Sequence, residues 1–212
     1  MPSMTALAVF TAATLALLLV PGPAVVYIVT RSVAQGRAAG LVSVAGIHAG
    51  SVVHVVAAAL GVSALLAASA TAFTAVKYAG AAYLLYLGLR KLFARTGALA
   101  KEAEPVSRSR MFGEGFVVNV LNPKTALFFL AFLPQFVDPG LGPVAPQIVL
   151  LGLIWIALGM ASDGTYALLS AALAGRLRRS SIAARRLDVA SGLVYIGLGA
   201  LAAFSGDTGR KV

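Results

Sequence analysis

The chain has 212 residues, of which 59% are hydrophobic and only 11% charged. Soluble domains carry about 25% charged residues, and a chain this short cannot hide so much apolar surface in its own core; a mean hydropathy of +0.91 says the same, so lipid is the implied solvent. The net charge of +10 would point to nucleic acid in a soluble protein, but its placement argues otherwise, and the lack of cysteine excludes a disulfide scaffold or a thiolate metal site.

A helix crossing the ~30 Å hydrocarbon core needs about 20 mostly apolar residues. Six windows qualify, which predicts an all-α integral membrane protein with a single membrane domain over residues 1–212. The first runs from about Thr5 to Val29 and carries no charge, so it reads as a retained span rather than a cleaved signal. The second covers about Gly40 to Ala67 and the third about Thr71 to Phe93, separated by a turn near Ser69. The fourth covers about Gly113 to Val137, the fifth Val144 to Ala174 and the sixth Leu187 to Phe204. Residues 94–112, with Gly97, Pro105 and several Ser and charged residues, read as a flexible linker.

Lys and Arg in short loops set the orientation. They cluster at Arg31 and Arg37, between Arg90 and Arg110, and between Arg176 and Arg186. The two opposite loops, near Ser69 and near Asp138-Pro139-Gly140, hold none. The three basic loops therefore face the cytoplasm, and an even number of spans puts both termini outside. The charge is a topology signal, and nucleic acid is not an expected partner.

Three spans per half allow two inverted repeats, residues 1–93 and 113–206. A proline interrupts the first span of each half, at Pro21-Gly22-Pro23 and at Asn122-Pro123-Lys124. Proline removes a backbone donor and breaks the helix. In lipid the freed groups need other partners, so broken helices sit where they line a cavity. A half-helix starting at Pro23 or Pro123 would aim N–H groups and a positive dipole end into that cavity, a site for a carboxylate. Pro21, Gly22, Pro23, Asn122, Pro123 and Lys124 are therefore candidate substrate-binding residues. The alternative is that the prolines only kink their helices for packing.

Ionisable residues within spans are costly and mark function. Asp163, mid-way along the fifth span, is the strongest candidate for carrying a coupling proton, because burial favours a protonated carboxyl. An ion pair with a lysine is the structural alternative. Lys124 suits a substrate carboxylate or a neutralising partner for Asp163. His48 is the second proton-coupling candidate, although a buried His in Gly46-Ile47-His48-Ala49-Gly50 more often serves packing or hydrogen bonding. His48 and His54 lie about 240° apart on a helix, which argues against a shared metal ion. Glu114 and Asp188 are placed to meet the basic loops, and Trp155 has no evident role.

Taken together, Pro21-Gly22-Pro23, the Arg31-to-Gly40 turn, His48 in a Gly-rich span, Asn122-Pro123-Lys124 with Pro134-Gln135-Phe136, and Asp163 resemble the LysE/RhtB family of amino-acid exporters over nearly the whole chain. The resemblance implies a secondary transporter in the inner (plasma) membrane of a bacterium. It would export an amino acid or a derivative from the cytoplasm in exchange for protons, with no cofactor. Some relatives act on metal cations, so a divalent metal-cation exporter of the same fold is the alternative. An intramembrane enzyme is not expected, since the chain holds no Gly-x-Ser-x-Gly or His-Glu-x-x-His motif. Gly46-xxx-Gly50 permits close contact within one chain or between two copies, compatible with a homodimer.

Overall fold

The computed structural model describes residues 2–68 and 106–174, together with Tyr78, Ala82, Tyr86, Leu89 and Ile196. The expected third and sixth spans, the turn near Ser69 and most of the 94–112 linker lie outside the described residues. The described part is helical, with no strand. Helix α1 (Met4–Leu18) starts at Ser3, whose hydroxyl accepts from the Ala6 amide. Helix α2 spans Pro23–Gln35 and α3 spans Arg37–Ala68. Gly36, at φ 83°, turns the chain sharply between them, a conformation that favours glycine. Helix α4 (Arg108–Val120) begins earlier than the sequence suggests, because Ser107 caps it and draws the end of the linker into the helix. After a break, α5 (Pro123–Leu127) passes into a π turn at Phe128–Phe132 and a 3-10 turn at Leu133–Phe136. A short 3-10 turn at Pro139–Leu141, capped by Asp138, leads to α6 (Val144–Ala172).

Among the described residues two helical stretches are long and apolar enough to cross a membrane, Arg37–Gly61 and Val144–Ala172. Two bent pairs become spans if each counts as one: α1 with α2, bent by 52°, and α4 with the segment Pro123–Phe136, bent by 45°. Bends of this size deflect the chain without reversing it.

The two interruptions are built alike. In each, the last turn tightens to an i→i−3 bond, Val20 N–H to Leu17 O and Asn122 N–H to Asn119 O, both 3.0–3.1 Å. The residue before the proline, Gly22 or Asn122, is extended, as the proline ring demands. The proline then takes the first position of the new helix, where no N–H is needed.

Two apolar clusters flank the interruptions. The larger packs Phe10 and Leu17 of α1 with Phe128, Phe129 and Phe132 and with Leu151 and Trp155 of α6. The smaller joins Ile28 of α2, Val44 and Ile47 of α3, and Ala167 of α6. Glycines let α3 sit at the centre: a Cβ on Gly46 or Gly50 would run into the backbone of α4 at Phe112 or Phe116. Gly46→Ala should therefore lower stability by about 1–3 kcal/mol through overpacking against rigid backbone. Gly61→Ala, with no described atom within reach of the added Cβ, should not lower it; melting of the purified protein in detergent measures both.

Candidate functional site

Between the two clusters lies a cavity of about 30 Å³, room for one or two water molecules. Gly22, Ala24 and Val25 of the α2 start line it, with Ile47, His48 and Ser51 of α3. Asn119, Asn122, Lys124 and Thr125 come from the second break, and Trp155 and Asp163 from α6. Its walls thus hold five of the eight residues expected from sequence: Gly22, Asn122, Lys124, His48 and Asp163. Pro21, Pro23 and Pro123 do not line it, and Pro23 and Pro123 are exposed on the outer surface. A proline at the first helical position turns its ring away from the new helix axis, so these residues shape the site by breaking the helix rather than by touching its contents.

The freed backbone groups are satisfied from other elements. Lys124 Nζ donates to Leu17 O at 2.8 Å and to Val20 O at 2.6 Å, capping the C-terminal end of α1. Tyr166 of α6 donates its hydroxyl to Leu19 O at 2.9 Å. At the second break, His54 Nε2 donates to Asn119 O at 2.9 Å, and Asn122 Oδ1 accepts from the Lys124 amide at 3.1 Å. The Asn119 side chain donates to Ile47 O and Ser51 Oγ and accepts from Thr125 Oγ1, locking α3 to the break. The α2 start differs. Gly22 offers no side-chain cap, so the N–H groups of the first turn lack an intrahelical partner where α2 meets the cavity.

Asp163 and His48 meet in this wall. His48 Nε2 lies 3.1 Å from Asp163 Oδ2, and both residues are at least 95% buried. The other ring nitrogen, Nδ1, is buried and has no hydrogen-bond partner among the described residues. Asp163 is thus paired with an imidazole of α3, where sequence reasoning weighed a lysine. Lys124 is engaged with the α1 carbonyls. Gly159, one turn before Asp163 on α6, lies against the His48 ring, and a Cβ there would overlap it. Sequence reasoning missed Gly159, Ser51 and Thr125, which carry no charge to mark them, and gave Trp155 no role; its indole packs 4.0 Å from Phe128 and closes the apolar side of the cavity. Period-3.6 spacing of Trp155, Gly159 and Asp163 was the available signal. Among the described residues no three His, Asp or Glu side chains converge as a metal site would require.

The model of the LysE type translocator family matches residues 15–206. The chain belongs to the LysE type translocator family. It is a membrane-integral member of a transporter family. It is 33% identical over 185 residues to a homoserine/homoserine lactone efflux protein of Salmonella typhimurium, covering 86% of this chain and 88% of that one. It is 32% identical over 186 residues to an uncharacterised membrane protein of Vibrio cholerae, covering 87% and 90%. Over 124 residues it is 32% identical to a leucine efflux protein of Salmonella choleraesuis, 58% of each chain. No solved structure matches the chain.

Gly159→Ala should displace the His48 ring and cost about 1–3 kcal/mol in the native chain. In a His48→Ala background the same change should cost little, because the overlapping ring is gone. A double-mutant cycle on detergent melting temperatures reads this coupling.

Proposed function

We propose that this LysE-family protein exports an amino acid or a close derivative from the cytoplasm by proton antiport. The observation that carries the reading is the buried His48–Asp163 pair in the cavity that also receives the uncapped start of α2. The substrate carboxylate faces the α2 N–H groups, where the helix dipole favours an anion. The substrate ammonium faces Asp163. Leu18, Val25, Ile47 and Trp155 offer apolar surface to the side chain. The efflux relatives named for homoserine and leucine carry neutral side chains, which suits a cavity whose acidic group is already used.

Coupling follows from competition. Asp163 faces either a protonated His48 or the substrate ammonium. When the ammonium arrives, the carboxylate exchanges one cationic partner for the other, and the proton on His48 is released. When a proton returns from outside, the carboxylate turns back to the imidazolium and the ammonium leaves. Imidazole changes charge near neutral pH more readily than any other side chain, which suits this exchange. At about 30 Å³ the cavity is too small for an amino acid, so the helices around it separate to load and unload. This is the alternating movement of two repeats about a central site, and the matched interruptions at Pro23 and Pro123 support such a repeat.

On this reading the protein sits in the inner membrane with its basic loops in the cytoplasm and both termini outside. Proteoliposomes loaded with amino acid and given an inward pH gradient should show gradient-driven efflux. Asp163→Asn should abolish the dependence on the gradient, and unchanged gradient-driven efflux in that variant would remove Asp163 from the mechanism. His48→Ala should likewise uncouple efflux from the gradient, read as equal efflux with and without the imposed pH difference.

A further inference from the structure

We propose that the seam between α2 and α4 is the gate through which the cavity opens toward the basic-loop side, and that Glu114 is its latch. The proposal rests on the transport reading for what passes through the gate, but not for whether the gate exists. From the cavity, α2 runs from Gly22 to Gln35, and α4 runs back from Asn119 to Arg108. Arg31, Arg108 and Arg110 place the far end of this seam on the basic side.

Three layers close the seam. Next to the cavity, Ile28 of α2 packs with Val44 and Ile47 of α3 and Ala167 of α6, and Tyr27 of α2 and Val118 of α4 pack against this small cluster. Beyond it the Glu114 carboxylate gathers groups from both helices. Arg31 of α2 donates to Oε2 at 2.7 Å, and Arg110 of α4 donates to Oε1 at 2.8 Å. The Tyr27 hydroxyl lies 3.1 Å from Oε2 and 2.9 Å from Met111 O. The Arg31 guanidinium also lies over the Tyr27 ring, 5.5 Å from its centre. Last, the Gln35 amide exchanges two hydrogen bonds with the Val106 backbone, at 2.9 and 3.1 Å.

The two sides of the cavity differ in what parting them exposes. On the far side, separation would strip the packed rings of Phe10, Phe128, Phe129, Phe132 and Trp155, a large apolar area. On the near side the apolar layer among the described residues is thinner. The ion pairs beyond it already meet water, with the Glu114 side chain 30% exposed and that of Arg110 69% exposed, so exchanging them for hydration is cheap. Glu114 joins both Arg31 and Tyr27 of α2 to α4, and its neutralisation removes the ion pair with Arg31 and the contact with the Tyr27 hydroxyl together, leaving the Tyr27–Met111 and Gln35–Val106 hydrogen bonds in place.

The absence of native cysteine allows a direct test. Val25→Cys places one thiol in the cavity wall. In oriented proteoliposomes a membrane-impermeant methanethiosulfonate should label it slowly from the basic-loop side. Glu114→Gln should raise that rate about five- to tenfold, as expected for loss of a partly buried ion pair, and leave labelling from the opposite side unchanged. The exchange Arg31→Glu with Glu114→Arg, made together with Arg110→Ala so that the new arginine meets no like charge one turn away, should return the rate toward that of the parent. No change with Glu114→Gln, an equal rise from both sides, or no restoration by the exchange would overturn the latch. Labelling needs no substrate, so it fails or succeeds separately from the efflux assay.

Discussion

A peptide group stripped of its helical partner cannot be left bare in hydrocarbon. Each interruption in this protein creates such groups, and the surrounding helices are arranged to answer them. Lys124 reaches from the second break to the carbonyls at the first. Tyr166 and His54 cover Leu19 and Asn119 from α6 and α3. The breaks are therefore cross-braced, and α1, α3, α4, α5 and α6 converge on one cavity. The cavity is what remains between the braces.

The same bracing commits the lysine to the end of α1. Leu17 O and Val20 O hold the ammonium at the C-terminal, negative end of α1. Asp163 is left to an imidazole, a partner that can lose its charge. A carboxylate paired with lysine stays charged across the ordinary pH range, whereas one paired with histidine sits beside a group able to gain and lose a proton.

Close backbone approach is the second structural theme. Gly46 and Gly50 bring α3 against α4, and Gly159 makes room on α6 for the His48 ring. Without hydrophobic driving force between helices in lipid, such small-residue contacts carry the packing.

The sequence by itself determined the solvent, the helical class, the interruptions at Pro23 and Pro123, and the buried ionisable residues. Each of these follows from a local property: hydropathy over a window, a missing N–H, or a charge within an apolar run. Gly22, Asn122, Lys124, His48 and Asp163 were legible for that reason. Only the tertiary structure decided that Asp163 faces His48 rather than Lys124, that the prolines themselves stand outside the cavity wall, and that Gly159 and Trp155 belong to the site. These depend on the rotation of α3, α5 and α6 about their axes and on their mutual distance, which side-chain packing fixes among residues more than a hundred positions apart, and no local pattern encodes them.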